Sequence, residues 1–460
     1  MFKRSALIYF IVVYFFSTAL QSQEREKLGR QLITDQLLFL SLVEPNHVFH
    51  DYYLLIENND NLYQGELKDS IESEISSFWE GRAIPLKNPN FRLEEDVYQR
   101  AIGIEPHIDN FLFLINHIKH FIWLEKTHSW SLLTLTKLIK PGDKDPLLEH
   151  ISLRLWLLGD LTDSNDIGSD YTEGLVQAIK IFQQRHGLET DGVIGPLTLS
   201  WLNVKPRTKA KMLAVNYVEK HTFLAVREPQ FIVVNIPGFN MILVENGEVM
   251  LDSRVIVGKP SRQTPLLSSE ITNVVINPSW RVPRRIMYRD LLPKIRRDGQ
   301  YINKGNYEVY DREGNRLLRT PSQWSDIAKG PFPYRLVQKP GEKNTLGRYK
   351  FYFPNDFSIF LHDTSTPNLF QKANRALSSG CIRIEKVKFL AEWMAEKLVN
   401  DKKTWQRMQV KREESRWFSL KASLPVHLVY WTTWLDQTGA VQYRRDIYNQ
   451  QKSSLLSVAQ

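Results

Sequence analysis

The 460-residue chain holds a single cysteine, Cys381. One thiol can neither close an internal disulfide nor build a multi-cysteine zinc site. A chain of this length can bury a core large enough to fold without such staples. It has no internal repeat, no low-complexity tract and no concentrated basic stripe of the kind that binds nucleic acid. Its net charge of +9 is a mild surplus, suited at most to an acidic polymer. Hydrophobic residues make up 42% and charged residues 24%, which excludes a mainly disordered chain, a collagen and a polytopic membrane protein. Length alone suggests about three domains.

The N-terminus reads as a secretory leader. Lys3 and Arg4 form a charged start, Ala6 to Phe16 an apolar run, and Ser17 to Ser22 a small, polar tail. Residues 1–23 are therefore expected to be a signal peptide or, if uncut, an N-terminal anchor. The run is short for a spanning helix. No cysteine follows it, which excludes lipoprotein processing.

Residues 24–165 read as a helical scaffold, with apolar runs at Leu37–Leu42 and Phe111–Trp123. His117 and His120, like His47 and His50, share a helical face but have no third ligand nearby, so no metal site is expected. Residues 166–205 read as a small helical hairpin. Val176, Ile179 and Phe182 mark one face of its first helix, Gly187 stops it, and Pro196 opens the second. Residues 206–228 read as a linker back to the scaffold. From Phe231 the period shifts towards two. Apolar runs at 231–236, 241–244, 254–257 and 273–276 read as strands, with Asn246-Gly247 as a hairpin turn. Residues 229–450 form the mainly β part. A charged, Gly- and Pro-rich excursion over 294–347 suits a lid, 385–399 reads as its one clear helix, and 426–448 reads as a terminal hairpin. Residues 451–460 form a tail. The fold class is multi-domain α+β.

The chemistry concentrates on Ser378-Ser379-Gly380-Cys381-Ile382-Arg383. Small residues before Cys381 let backbone approach a substrate closely. Arg383 places a positive charge that favours a thiolate. His362 lies 19 residues upstream at the end of an apolar strand. A cysteine nucleophile needs a base of about the basicity of imidazole, and amides near Gly380 and Cys381 could cradle an oxyanion. Spacing alone leaves two readings open: a catalytic Cys381–His362 pair, and a buried structural cysteine.

The stretch Leu361-His362-Asp363-Thr364, followed after fourteen residues by Ser379-Gly380-Cys381-Ile382-Arg383, resembles the catalytic signature of the YkuD-type L,D-transpeptidases. The likeness extends to the large, multi-domain periplasmic branch of that family. Phe182 to Leu188, Asp191 to Pro196, Val255 to Pro260, Asn277 to Pro283, Asn344 to Gly347 and His427 to Tyr448 continue it in order. It covers residues 150–448 well and the helical N-terminal part more weakly.

The resemblance implies a helical scaffold, a peptidoglycan-binding module at 166–205 and a YkuD-type catalytic domain with a capping lid. It makes Cys381 the nucleophile and His362 the general base. The backbone carbonyl of Asp363 would orient the imidazole, and the Gly380 and Cys381 amides would be oxyanion donors. Arg383, Ser379, Asn344 and Trp280 would contact substrate. The wider family often has His where Ser379 stands and Asn where Arg383 stands. The implied reaction is 3→3 cross-linking of peptidoglycan through a thioester on the diamino acid of a donor tetrapeptide, with release of D-Ala. It needs no cofactor. Expected partners are donor and acceptor stem peptides and other wall-synthesis enzymes, with no nucleic acid. Expected location is the periplasm, against the wall, with the inner membrane engaged only by an uncut leader. Carbapenems would acylate Cys381. The other readings are an L,D-carboxypeptidase, a lipoprotein-to-wall attachment enzyme, a general cysteine peptidase, which is disfavoured because His precedes Cys, and a catalytically silent wall-binding scaffold.

Overall fold

The computed structural model describes residues 2–412 and 414–451, with side chains from residue 22 onward. The leader expected at 1–23 falls mostly on residues whose side chains lie outside that description, and the tail at 452–460 lies outside it altogether. Among the described residues, no helix is long and apolar enough to cross a membrane. The chain divides into two compact units. One comprises residues 1–227, 432–444 and 451–460; the other comprises 228–431 and 445–450.

The first unit is helical, and aromatic rings fill its centre. Phe39, on the helix Phe2–Val43, stacks on Trp79 at 5.8 Å and meets Phe111 and Tyr217 edge-on. Tyr217 belongs to the helix Pro206–Ala225, where a linker was expected. Pro206 supplies the fixed φ of a first helical turn, and Ala210, Leu213, Ala214 and Tyr217 are buried. A segment carrying that much core is structural.

The expected helical hairpin is present. Thr172 caps the helix Glu173–Arg185 by accepting the Leu175 amide at 3.1 Å. Gly187 follows at φ +65, the left-handed geometry of a helix stop, and Pro196 opens the helix Pro196–Leu202. A charged knot sits in this unit. Arg185 grips Asp160 with two hydrogen bonds, and Asp160 is 5% exposed. Beside it, the fully buried Lys209 lies 3.2 Å from His186 Nε2 and 4.6 Å from the Tyr443 ring centre. Burial holds both His186 and Lys209 well below their ordinary pKa.

The second unit is built on a nine-stranded mixed sheet. Its strands are β1 (Gln230–Asn235), β2 (Asn240–Glu245), β3 (Glu248–Gly258), β4 (Leu267–Ile276), β9 (Tyr349–Tyr352), β10 (Leu361–His362), β11 (Ala376–Ser378), β12 (Ile382–Ile384) and β13 (Arg416–Val429). The order is β11-β3-β12-β10-β9-β4-β13-β1-β2. Because β2 also pairs with β3, eight strands close into a ring and β11 hangs from β3. β1 is buried almost end to end, hence its unbroken apolar sequence. Asn246 and Gly247, both at positive φ, join β2 to β3 in a two-residue turn whose twist matches the flanking strands. The helix Val387–Leu398 covers the sheet, and Lys402–Val410 follows it.

The excursion carries its own core and starts earlier than its charge pattern suggested. Strands β5 (Trp280–Arg281), β6 (Tyr307–Tyr310), β7 (Arg316–Leu317) and β8 (Arg335–Gln338) form a second sheet in the order β5-β8-β6-β7. Trp280, Leu292, Ile295, Trp324 and Phe332 pack inside it. The late hairpin also differs from expectation. Residues up to Val429 belong to β13 inside the main sheet. The hairpin proper, β14 (Thr433–Leu435) and β15 (Val441–Tyr443), belongs to the helical unit. Buried Tyr443 and the bond from the Thr432 amide to Asn216 Oδ1 place it there.

Replacing Asp160 with Ala would strand the Arg185 charge in the core, a loss of about 3–5 kcal/mol. Urea unfolding followed by circular dichroism should show the helical unit melting earlier, while Asp160→Asn loses less.

Candidate active site

Three adjacent strands set the site. β10 lies between β9 and β12, antiparallel to the first and parallel to the second. His362 stands opposite Lys350 on β9 and opposite Arg383 on β12, so the three form one rung across the sheet. Cys381 precedes Arg383 by two residues, which puts both on one face. Phe360, two before His362, extends the same face. Cys381, His362, Lys350 and Arg383 all line a cavity of about 1910 Å³ under the capping segment.

The cavity is strongly cationic. Arg262, Arg281, Arg285, Lys294, Lys350 and Arg383 line it, against a single carboxylate, Asp290, among its described lining residues. Arg262 takes up that carboxylate with both terminal nitrogens, one at 2.9 Å from Oδ1, and donates to Ser379 Oγ at 2.8 Å. The guanidinium thus links the capping segment to the loop that carries Cys381. Asp290 sits on a π-helical turn, Met287–Leu291, inside the helical run 284–297. Such a bulge turns a side chain out of the regular helical pattern. Arg262 holds the Asp290 carboxyl below the usual range.

His362 is 3% exposed. Its Nδ1 donates to the Asp363 carbonyl at 2.5 Å, which leaves Nε2 as the acceptor. The Asp363 side chain is occupied elsewhere: its carboxylate accepts the Arg348 and Thr364 amides, each at 2.7 Å. Burial drives the imidazole down to about 3. The Arg383 and Lys350 charges push the same way, while the Asp363 and Leu346 carbonyls act in the opposite sense. Burial likewise raises the Cys381 thiol to about 11. The Phe360 amide, Lys350 and Arg383 act against that rise. The resting pair is therefore a neutral thiol and a neutral imidazole.

The loop before Cys381 is braced from several directions. Gly380 sits at φ +117, a conformation that L side chains rarely adopt. Its amide donates to Ser378 Oγ at 3.1 Å, and that hydroxyl donates to the Cys381 carbonyl at 2.6 Å. Its carbonyl accepts from buried Thr264 Oγ1 at 2.8 Å, which also receives the Gly258 amide at 2.9 Å. Tyr448 OH donates to the Gly258 carbonyl and accepts the Thr264 amide.

Six residues expected at the site line the cavity: Cys381, His362, Gly380, Arg383, Ser379 and Trp280. Asp363 lies behind His362 and presents its carbonyl, as expected. Two expectations need correction. The Gly380 amide, expected to be an oxyanion donor, is taken by Ser378 Oγ because the positive φ turns it back onto that hydroxyl. Of the two amides, only that of Cys381 has no partner among the described residues. Asn344, expected to touch substrate, is 1% exposed. Its Nδ2 donates to the Pro278 and Lys339 carbonyls at 2.9 and 2.8 Å, and its Oδ1 accepts the Leu346 amide at 2.8 Å. It shapes the loop after β8 and is not among the residues lining this cavity. Sequence reasoning gave no role to Thr264, Tyr448, Ser378, Arg262 or Lys350. Ser378 was within reach of the cysteine motif and Lys350 of the stretch Lys350-Phe351 that continues the resemblance; the others are brought in by the sheet ring and the return of the chain at 445–450.

Residues 229–407 match the family model described as "L,D-transpeptidase catalytic domain", YkuD. Residues 145–202 match the one described as "Putative peptidoglycan binding domain". Over 217 residues the chain is 39% identical to a "Putative L,D-transpeptidase" of Haemophilus influenzae, an alignment that takes in 47% of this chain and 44% of that protein. The chain thus aligns with less than half the length of that relative. Among solved structures, an L,D-transpeptidase of Stackebrandtia nassauensis is 15% identical, with 65% of this chain and 97% of that chain covered and a TM-score of 0.25. L,D-transpeptidase 1 of Mycobacterium tuberculosis is 14% identical, with 44% and 61% covered and a TM-score of 0.20. The sequence matches are what place this chain: it carries a YkuD-family L,D-transpeptidase catalytic domain, together with a segment of the peptidoglycan-binding family.

Proposed function

We propose that the protein is an L,D-transpeptidase that forms 3→3 peptidoglycan cross-links, working in the periplasm against the wall. The observation that carries this reading is the placement of Cys381 and His362 on neighbouring parallel strands, facing one cationic cavity inside the matched domain. His362 Nε2 takes the thiol proton as Cys381 sulfur attacks the carbonyl of the diamino acid in the donor tetrapeptide. The Cys381 amide holds the developing oxyanion. The same proton passes to the leaving nitrogen, D-Ala departs, and a thioester remains. The side-chain amine of a second stem then attacks that thioester. The new amide forms and the sulfur regains its proton through His362. Splitting one amide exchange into two acyl transfers lowers each barrier.

The cationic lining supports this substrate class, because stem peptides carry several free carboxylates and the described lining of the cavity holds only one of its own. Arg383 is the cation beside the reacting pair and Trp280 supplies an apolar wall. The capping segment restricts water, which favours an amine over hydrolysis. The segment over residues 145–202 would hold the polymer while the second unit works on its stems. Carbapenems, being strained acyl donors, would acylate Cys381.

Intact-protein and product mass spectrometry with a purified disaccharide-tetrapeptide should show a cross-linked dimer with loss of D-Ala. Cys381→Ala should form none. A tripeptide without dimer would instead point to a carboxypeptidase, and no turnover and no carbapenem adduct would leave a wall-binding scaffold.

The neutral resting pair predicts a pH profile. With the imidazole depressed to about 3, His362 stays unprotonated from pH 5 to 8, so the profile of kcat/KM should show no acidic inflection near pH 6.5, where free imidazole titrates. With the thiol raised to about 11, alkylation of Cys381 by iodoacetamide should climb with pH and show no plateau below about pH 10. A plateau already reached near neutral pH would mean a preformed thiolate–imidazolium pair.

A further inference from the structure

Lys350 has no place in the reaction as written, yet it occupies the third position of the rung that holds His362 and Arg383. Neighbouring strands are about 4.8 Å apart. Lys350 is therefore one strand from the base and about 10 Å, backbone to backbone, from Arg383. Its side chain lines the same cavity as Cys381.

What surrounds this ammonium is unusual. Nζ lies 4.0 Å from the Phe360 ring centre, 5.8 Å from that of Tyr352 and 5.7 Å from that of Trp417. Among the described residues, no carboxylate lies within ion-pair distance of it. Ring faces hold a cation by their quadrupole and bring no opposite charge. A carboxylate partner would have cancelled most of the field at the site, as Asp290 does for Arg262. Among the described residues the Lys350 charge is thus held by rings with no carboxylate to compensate it, on the same cavity as a sulfur that must become an anion.

The ring that carries Lys350 belongs to Phe360, whose backbone amide also acts to lower the pKa of the Cys381 thiol. The other ionisable groups facing Cys381 are few. On β10 there is His362, neutral, with Asp363 behind it. On β12 there is Arg383, whose Nε is buried without a partner. On the loop after β3 there is Arg262, neutralised by Asp290. The cap presents Arg281, Arg285, Lys294, Tyr301 and Tyr307 to the cavity. Lys350 and Arg383 are the two cations on the strands flanking the base, and only Arg383 is foreshadowed by the motif around the cysteine.

We infer that Lys350 is an electrostatic positioning residue, whose ring-held ammonium stabilises the Cys381 thiolate as it forms and so sets the reactivity of the nucleophile. This rests on the proposed acyl transfer for its purpose but not for its test, because alkylation of a thiol requires no transpeptidase activity.

The experiment uses the full chain and three variants, Lys350→Gln, Lys350→Met and Lys350→Arg. Each is titrated with iodoacetamide from pH 6 to 10, with the Cys381 adduct counted by intact mass and folding checked by circular dichroism. Removal of the charge should slow alkylation at pH 8 by about tenfold, the equivalent of about one pKa unit in the thiol, and move the profile to higher pH. Lys350→Arg should restore most of the rate, which a purely packing role would not predict. In turnover with the disaccharide-tetrapeptide, kcat/KM for acylation should fall with little change in KM. An unchanged alkylation profile in a folded Lys350→Gln overturns the inference. A raised KM with unchanged alkylation also overturns it, and assigns Lys350 to a substrate carboxylate. Slowed Cys381 alkylation in the Lys350 variants, in a protein whose unaltered chain forms no cross-link, would sink the proposed reaction and leave the thiol effect standing.

Discussion

The parallel pairing of β10 with β12 is the constraint on which the site depends. It sets His362 opposite Arg383, and the alternation of side chains then brings Cys381 to the same face. A slip of one residue in that register would turn either the base or the nucleophile into the core. The short strands make such a slip conceivable, and the surrounding structure prevents it. Leu361 and Ile382 are fully buried partners in the sheet core, and the Ile382 amide bonds the Phe360 carbonyl at 3.1 Å. On the other flank, Phe351 seals Leu361 from β9. The chemistry thus rests on ordinary apolar packing one residue away from each functional group.

The site keeps its reacting groups uncharged at rest and its surroundings charged. Burial alone costs a thiolate or an imidazolium dearly, and here both groups stay neutral. The neighbouring arginines and lysine are then free to act only when negative charge develops on sulfur or oxygen. That is the arrangement expected where stabilisation should favour the transition state over the resting enzyme. Three of the six lining cations, Arg281, Arg285 and Lys294, are exposed, so water still reaches them.

Much of this was legible in the sequence, for local reasons. Asn246-Gly247 announced its turn because only residues tolerant of positive φ can make it. Thr172, Gly187 and Pro196 marked helix ends by their own backbone chemistry. Cys381, His362 and the Asp363 carbonyl were within reach because each lies in a short motif that the fold brings to one cavity. What escaped was non-local. The helix 206–225 hides its role because two of the residues it buries completely are polar, Lys209 and Asn216, and its apolar face is interrupted accordingly. Asn344 looked like a contact residue and proved to be spent on three backbone groups, two in its own loop and one at Pro278. Thr264 and Tyr448, which brace the nucleophile loop, lie 116 residues before and 68 residues after Gly380. No pattern in the chain joins them.

The ring of strands is closed by a piece of chain from beyond the family match. That match ends at residue 407, yet β13, residues 416–429, lies in the middle of the sheet between β4 and β1. Tyr448, further on still, holds the Gly258 end of β3. A fragment cut at the edge of the recognisable domain would therefore open the ring and expose the edges of β4 and β1 that β13 covers in the whole chain, the kind of surface that pairs with copies of itself. Whoever trims this protein to its matched domain should expect fibres or inclusion bodies before a small, well-behaved enzyme.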